Sequence, residues 1–436
     1  MRIFKFLWSL CLGGIMLTPG ASNAQVLSGL EVWTDAGTTA TISPGKCRVG
    51  GRTVTVENPT VLEIPLQPGR KVVDEPYVLE PKLADRWLPG THLNGCVTAN
   101  ALPGCLEPDS VRISLPDGSE AKLGTDYEVG TEWATIARLP NGRITTDTQV
   151  KVSYTVGQMR IDSICVTREG NITLNHGIPA NAAPGLPVIT TGSLHLANVF
   201  LPYHCKAIQT WQVFPIGAPL PKMRPEELAW RASRVPKTLT KLRSGEPLTI
   251  VTWGDSVTVG GDSSVPGLAY ANLFITRLRE RFPKANIRHI NAGIGATNTD
   301  GRLAAFPKEV LSYQPDLVTI EFVNDMGFGE QKLRSNYDRA LSQLRSIGAE
   351  VILITPHFVM PVWMGKTYPR GGETRPDVFT LKSIAAEHGI GLADASRRWA
   401  HLDAEGVPYV AYLMNGINHP DDRGHALFVE ELMTLF

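Results

Sequence analysis

The hydrophobic pattern of the chain changes near residue 217, and this change limits the folds that are available to it. Residues 26–217 contain short runs rich in β-branched residues, such as 53–56 and 150–154, separated by Gly, Pro and Asp. From residue 247 onward, strand-like runs alternate with helical stretches. Such alternation is typical of a parallel sheet covered by helices on both faces. The sequence therefore predicts an all-β, sandwich-like antiparallel domain followed by an α/β domain.

The length of the chain supports this division. At 436 residues it exceeds what one hydrophobic core usually serves. A Pro-rich and then basic segment, residues 218–246, reads as a linker or packing strap with one helix near 226–233. We therefore predict a β-rich N-terminal domain over 26–217, this linker, and an α/β domain over 247–436.

The first 24 residues have the pattern of a cleaved signal peptide. Arg2 and Lys5 precede an apolar stretch over 6–16, and small residues follow at 22–24. The apolar stretch is much shorter than the roughly 20 residues that a membrane-spanning helix needs. We predict cleavage after about Ala24, no membrane span, and a secreted or periplasmic protein.

The charge balance excludes several classes of partner. Lys and Arg together number 42, and so do Asp and Glu, so the formal net charge is zero. No net field attracts a polyanion, and no basic run suggests nucleic acid. A neutral or weakly charged substrate is expected. The sequence leaves the oligomeric state open.

Five cysteines follow the leader: Cys47, Cys96, Cys105, Cys165 and Cys205. An oxidising compartment favours disulfides, and the two cysteines that flank a short Pro-Gly loop, Cys96 and Cys105, are the preferred pair. An odd number leaves at least one cysteine free or paired elsewhere. Without Cys-x-x-Cys spacing or clustered histidines, neither a metal site nor any other cofactor is predicted.

Polar residues follow the strand-like runs of the α/β half. Ser256 comes just after the run 248–253, the small-residue block 291–298 follows the second strand, Asn324 follows the third, and His419 precedes the last helix, near 421–435. Doubly wound sheets place their chemistry at the carboxyl ends of the strands. A serine hydroxyl is a poor nucleophile that needs an imidazole base, and the resulting oxyanion needs amide donors. The pattern indicates acyl transfer.

These four blocks, in this order, resemble the SGNH family, also called GDSL hydrolases, over residues 245–436. The resemblance implies a flavodoxin-like doubly wound fold and hydrolysis of esters. It implies that Ser256 is the nucleophile and His419 the base. Asn324 and a backbone N–H near Gly295 would join the N–H of Ser256 in the oxyanion hole.

Two positions depart from the family pattern. Ala296 stands where the family usually has glycine, and a backbone donor tolerates alanine if φ is negative. The family's acid commonly lies three residues before the histidine, where this chain has Gly416. Asn415 or a backbone carbonyl would then orient His419, or Asp394 after the fifth strand would replace the acid, or the site is degenerate.

Three further residues near the predicted strand ends receive plainer interpretations. Asp255 is expected to bond the backbone amides of its turn. His425 falls on the last helix and is interpreted as structural, whereas His357 after the fourth strand is a weaker candidate for the crevice.

The leading functional hypothesis is a secreted serine esterase that removes acyl groups, acetyl above all, from a carbohydrate. One alternative is a lipase-like or aryl esterase, and an acyltransferase would use the same residues. Another is a glycan-binding protein with a degenerate hydrolase domain. Trp87, Trp133 and Trp211 of the β-rich half are either core residues or contacts for sugars.

Overall fold

The computed structural model describes residues 24–82, 90–98 and 102–436. The predicted signal peptide lies outside the described residues except for Ala24, and so does Trp87. The signal peptide therefore stays a prediction.

The N-terminal half is antiparallel throughout its described strands, as predicted. It forms five small sheets, with strand orders β1-β4-β5, β2-β3-β6, β7-β12-β9, β10-β11-β8 and β14-β13-β15-β16. Frequent Gly, Pro and Asp keep the strands short, which divides the expected sandwich into small sheets. The strands are β1 (Gln25–Gly29), β2 (Val32–Trp33), β3 (Thr39–Ile42), β4 (Gly45–Val49), β5 (Arg52–Val56), β6 (Thr60–Glu63), β7 (Arg70–Val78), β8 (Thr91–His92), β9 (Arg112–Ser114), β10 (Tyr127–Gly130), β11 (Thr135–Arg138), β12 (Gln149–Val156), β13 (Arg160–Val166), β14 (Ile172–Asn175), β15 (Leu194–Leu201) and β16 (Val213–Pro215).

The C-terminal half is a five-stranded parallel sheet with the order β18-β17-β19-β20-β21. This order confirms the predicted flavodoxin-like doubly wound fold. Its strands are β17 (Pro247–Gly254), β18 (Asn286–Gly293), β19 (Leu317–Glu321), β20 (Glu350–Ile354) and β21 (Gly391–Ala393). Two helices precede this sheet, α1 (Pro225–Ala232) and α2 (Pro236–Ser244). The helices of the C-terminal half are α3 (Ser256–Val259), α4 (Tyr270–Arg281), α5 (Thr299–Arg302), α6 (Phe306–Glu309), α7 (Glu330–Ser346), α8 (Pro376–His388), α9 (Ala395–His401) and α10 (Asp422–Leu432).

Successive residues of the central strand β17 point to opposite faces of the sheet. Ile250 packs in one hydrophobic cluster with Phe274 of α4 and Phe428 of α10. Val251 packs in another with Tyr337 of α7. Both faces are therefore covered, which explains why the strand reads as a continuous apolar run.

Strand β17 lies between β18 and β19. The connection after β17 therefore runs to one side of the sheet, and the connection after β18 crosses back to the other side. A crevice opens at such a switch point, outside the carboxyl ends of the strands. The residues that follow these three strands consequently meet at one edge of the sheet.

The segment 218–246 is packed against the C-terminal half. It contains α1 and α2, and Val235, Leu239 and Leu242 are buried in the same cluster as β17. The N-terminal half also contacts this half directly, because Asn198 Nδ2 donates to the Gly406 carbonyl at 2.7 Å. The β-rich half is thus in contact with the polypeptide that leads to His419.

The expected disulfide between Cys96 and Cys105 is absent, and all five described cysteines are free thiols. These two cysteines are buried neighbours, and Cys105 Sγ lies 3.8 Å from the Cys96 carbonyl oxygen. A hydrogen bond to the Cys96 side chain and burial both raise the pKa of Cys105. The pair therefore packs as small apolar groups within the hydrophobic cluster of this half.

Within the described part of the chain, no helix combines the length and the apolar character needed to cross a bilayer.

Candidate active site

Ser256 begins the short helix α3, directly after β17. The preceding residue, Asp255, caps this helix: its Oδ1 accepts from the N–H of Val257 at 3.0 Å, as expected for a turn aspartate. Its Oδ2 accepts from the N–H of Asn324, also at 3.0 Å. One buried carboxylate therefore fixes the turn of Ser256 relative to the turn of Asn324.

His419 contacts Ser256 and a carboxylate that the sequence did not indicate. Its Nε2 lies 2.9 Å from Ser256 Oγ, and its Nδ1 lies 2.8 Å from Asp262 Oδ2. A carboxylate accepts, so Nδ1 carries the proton and Nε2 is free to accept from the serine hydroxyl. The Asp262 side chain is only 7% exposed. Hydroxyl, imidazole and carboxylate form one continuous hydrogen-bonded chain.

The backbone around Asp262 explains how this carboxylate reaches the imidazole. Gly260 ends α3 with φ +103°, and Asp262 has φ +60°, a conformation that aspartate tolerates better than most residues. A Cβ atom on Gly261 would lie 2.9 Å from Cε1 of His419. Two consecutive glycines followed by an aspartate, just beyond the nucleophile, were the signal that sequence reasoning missed.

Asn415 organises the turn that carries His419. Its Oδ1 accepts from the backbone N–H groups of Ile417, Asn418 and His419, each at 2.9 Å. It thus orients the backbone of the turn, while the imidazole is bound by Asp262. Gly416 has φ +68°, and a Cβ atom there would lie 3.4 Å from Pro103, so an acid at this position would be strained.

The acid expected at Asp394 lies elsewhere. Asp394 caps α9 by accepting from the N–H of Arg397 at 3.1 Å, and its carboxylate pairs with Lys382 at 2.7 Å. It also accepts from the hydroxyl of Thr355 at 3.1 Å, and the imidazole of His419 is held by Asp262 instead.

Gly295 and Asn324 face Ser256 from the ends of β18 and β19. Asn324 Nδ2 donates one proton to the Thr297 carbonyl at 3.0 Å, which leaves its second N–H for another acceptor. Ala296 has φ +56°, so the condition under which alanine would be tolerated there, a negative φ, is not met. Glycine would form this left-handed turn without strain, whereas alanine forms it at a cost of about 1–2 kcal/mol in conformational free energy.

Arg302 is a second residue that sequence reasoning missed. It is almost fully buried, and its guanidinium donates to the carbonyls of Gly254 at 3.1 Å and Ala292 at 2.9 Å. Glu309 balances its charge at 2.6 Å. Arg302 therefore holds the carboxyl ends of β17 and β18 at a fixed separation.

A cavity of about 500 Å³ opens beside Ser256 and His419. Its wall combines the polar groups of the site with one large aromatic ring, and is formed by Ser256, Gly295, Ala296, Asn324, Trp363, Asn415, Asn418 and His419. Trp363 comes from the 3₁₀ turn Pro361–Met364, and the residue is 38% exposed. Among the described residues, no three His, Cys, Asp or Glu side chains cluster in a way that could hold a metal ion.

Three acidic side chains are buried beneath the crevice. Burial raises the pKa of Asp255 to about 6 and that of Asp325 to about 7, and it raises the pKa of Glu321 well above its usual range. Asp325 accepts from the N–H of Thr299 at 2.9 Å and the hydroxyl of Tyr337 at 3.2 Å. Near neutral pH the folded protein therefore retains protons on acids that the unfolded chain would release.

This burial predicts a dependence of stability on pH. The folded pKa of Asp325 is raised from 3.8 to about 7, so the free energy of unfolding falls as the pH rises between these values. Asp325→Asn removes this titration, and wild type should lose about 2–4 kcal/mol more than the variant between pH 4 and pH 8. Urea unfolding at several pH values measures the difference, and parallel curves for the two proteins would contradict it.

A hydroxyl, an imidazole and a carboxylate in hydrogen-bonded sequence, with amide groups facing the hydroxyl, are the arrangement used by serine hydrolases. Residues 252–427 match the family model described as the GDSL-like lipase/acylhydrolase family. This part of the chain is a GDSL-like acylhydrolase domain, a class of carboxylic ester hydrolase. The match confirms the resemblance that the four sequence blocks indicated.

Several solved structures are similar to this chain. One is a two-domain esterase (CEX) active on acetylated mannans, at 27% identity and a TM-score of 0.40, covering 46% of this chain and 52% of that one. This chain therefore aligns with about half of that protein. Two more are LAE5, an alpha/beta hydrolase enzyme from the metagenome of Lake Arreo in Spain (20% identity, TM-score 0.36, 43% of this chain and 94% of that one covered), and a variant of Axe2, an acetyl xylan esterase from Geobacillus stearothermophilus (20% identity, TM-score 0.35, 43% and 93% covered). No curated protein matches.

Proposed function

We propose that the protein is a secreted serine esterase that hydrolyses O-acetyl esters of a carbohydrate through an acyl-enzyme intermediate. The observation that carries the proposal is the chain of two hydrogen bonds, of 2.9 Å and 2.8 Å, that joins Ser256 through His419 to Asp262. These hydrogen-bonded groups open into the cavity at the carboxyl edge of the sheet. Secretion rests on the leader predicted from the sequence.

In the proposed reaction, Ser256 Oγ attacks the acyl carbon of the ester while His419 Nε2 takes the hydroxyl proton. Asp262 stabilises the imidazolium that forms and keeps its Nδ1 proton in place. The same imidazolium then protonates the leaving alkoxide of the sugar. In the second half of the reaction, His419 deprotonates a water molecule that attacks the acyl-enzyme and releases acetate.

The tetrahedral intermediate places a negative charge on the former carbonyl oxygen. The N–H of Ser256, the free N–H of Asn324 and a backbone N–H near Gly295 are the donors proposed for this charge. Fixed donors need no reorganisation as the charge develops, and one of them is typically worth about 3 kcal/mol of barrier. The carboxylate of Asp255 supports this arrangement because it connects the turns of Ser256 and Asn324.

The lining of the cavity favours a short acyl group on a sugar. Three asparagine side chains and His419 surround Ser256, whereas a long acyl chain would need an extended apolar wall. Trp363 lines this cavity and is 38% exposed, and an indole ring is suited to contact with the C–H groups of a pyranose ring. Acetyl esters of sugars satisfy both features.

A series of esters tests the substrate class. Acetate released from acetylated oligosaccharides should be detected with wild type, and kcat/KM on simple alkyl esters should fall as the acyl chain lengthens from acetyl to octanoyl. The three asparagine side chains and His419 around Ser256 are the reason for this order, because they leave no extended apolar wall for a long acyl chain. If kcat/KM instead rises with acyl length, the lipase-like alternative replaces the proposal.

Trp363→Ala should lower kcat/KM on acetylated oligosaccharides about 5-fold, because stacking of a ring contributes about 1 kcal/mol. On ethyl acetate, which has no ring to stack, the change should stay within about twofold. Val362→Ala is the matched control, since Val362 is 66% exposed in the same turn but does not line the cavity. An equal loss on both esters would show that Trp363 does not recognise the sugar.

A further inference from the structure

Two buried histidines lie next to the candidate site without lining its cavity. His357 follows strand β20, and His425 is on helix α10. Both residues are 0% exposed, so neither touches a substrate in the cavity. The sequence had suggested a structural role for His425 and, more weakly, a crevice role for His357.

The ring of His357 has one described hydrogen-bond partner. Its Nε2 lies 2.7 Å from the carbonyl oxygen of Asn418, the residue that precedes His419. A carbonyl accepts, so Nε2 carries the proton. The remainder of the ring packs against Trp399 at 4.9 Å and Phe428 at 5.4 Å between ring centres. This histidine is therefore directed, through an apolar pocket, at the backbone of the His419 turn.

His425 is directed in the same way at the backbone beside Asp262. Its Nδ1 accepts from the N–H of Tyr270 at 3.3 Å, so Nε2 carries the proton and donates to the Gly261 carbonyl at 3.2 Å. Gly261 lies against the imidazole of His419 and directly precedes Asp262. The hydrogen bond from His425 therefore fixes a peptide group that touches the imidazole of His419 and is joined to Asp262.

The charge state of these two side chains suits this location. Burial lowers the pKa of His425 to about 4 and that of His357 well below its usual range, so both rings are neutral at neutral pH. A neutral donor binds a carbonyl without placing a positive charge beside His419. A lysine or arginine in either place would disfavour the imidazolium that the reaction requires.

We propose that His357 and His425 are positioning residues, each donating to the carbonyl that adjoins one member of the Asp262–His419 pair. The inference rests on the proposed function, because the geometry of the pair matters only if His419 acts as a base. Displacing a catalytic group by about 1 Å can cost about 100-fold in rate. Loss of either bond should therefore lower kcat and leave KM nearly unchanged.

Side chains of equal polarity and different reach provide the test. The amide nitrogen of a glutamine side chain occupies the place of the histidine Nε2. The asparagine side chain is one carbon shorter, so its amide nitrogen does not reach the carbonyl oxygen. On ethyl acetate, His357→Asn and His425→Asn should lower kcat about 10- to 100-fold with KM within about twofold, and the two glutamine variants should stay within about fivefold of wild type. Rates are divided by the number of sites that react with an organophosphonate, so that only folded molecules count.

A control and a coupled variant separate positioning from general stability. His289→Asn changes a partly buried histidine that bonds Thr252 on the adjacent strand, and kcat should not change. In an Asp262→Asn background, His425→Asn should cost much less than it costs in wild type, because both changes act on the same pair. A structural role would instead give independent losses.

The outcomes distinguish this inference from the proposed function. A wild type that neither hydrolyses esters nor reacts with the phosphonate refutes the proposed function. A wild type that is active while both asparagine variants keep its kcat refutes the positioning role alone. The same holds if asparagine and glutamine variants lose activity equally, since reach would then have no effect.

Discussion

His419→Ala should abolish ester hydrolysis, with kcat lowered about 10⁴-fold or more, because no other described group lies beside Ser256 Oγ to take its proton. The same variant should lose the reaction of Ser256 with an organophosphonate, which mass spectrometry of the modified peptide detects. Reagents of this kind react only with an activated serine hydroxyl, so the experiment also tests the alternative of a degenerate, glycan-binding domain.

Two further variants complete this experiment. Ser256→Ala should remove the labelled peptide, which identifies the modified residue. His388→Ala is the matched control, since His388 at the end of α8 pairs with Asp338 at the surface, and it should label at the rate of wild type. Labelling of Ser256 in His419→Ala at an undiminished rate would show that His419 is not the base.

Asp262→Asn should lower kcat about 10³-fold while the fold is retained. The amide cannot stabilise the imidazolium, and its N–H group favours the tautomer that carries the proton on Nε2, which can no longer accept from Ser256. Steady-state kinetics on a short-chain acetate ester measures the loss. The activity should decline in kcat, since Asp262 does not line the cavity.

Asp394→Asn is the natural comparison for this variant. It removes a carboxylate that caps α9 and pairs with Lys382, so it should cost about 1 kcal/mol of stability and change kcat less than twofold. The reverse result, with activity lost in Asp394→Asn and kept in Asp262→Asn, would return the acid to the position suggested by the sequence.

The α/β fold was predictable because its signals are local. The apolar run 248–253 corresponds to the strand Pro247–Gly254 in the structure. In the sequence, apolar residues at helical spacing extend over 268–282, and this pattern corresponds to the helix Tyr270–Arg281. An apolar run buried on both sheet faces and an apolar stripe at helical spacing each arise within one element. The ends differ by one or two residues because caps and turns, rather than the pattern, set them.

The partner of His419 was not predictable in the same way. Asp262 and His419 are 157 positions apart, and their contact exists only after β17 and α10 pack in the same half. Expecting the acid near the histidine assumed a backbone that Gly416, with φ +68° beside Pro103, does not provide. The predicted disulfide between Cys96 and Cys105 was wrong for a related reason, because sequence spacing indicates that two thiols lie close together but not that they are bonded. The roles of Ser256, Asn324 and Gly295 stay predictions.

The position of Asp262 has a mechanical consequence. Ser256 and Asp262 belong to one seven-residue segment, and Ser264, two residues beyond it, donates its N–H and its hydroxyl to Asp422 of helix α10 at 2.8 Å and 2.6 Å. His419, three residues before the start of α10, thus bonds both ends of this segment. Withdrawal of the imidazole from this segment would break both of its hydrogen bonds together. We therefore expect thermal opening of this contact to abolish activity in one cooperative step rather than to reduce it gradually.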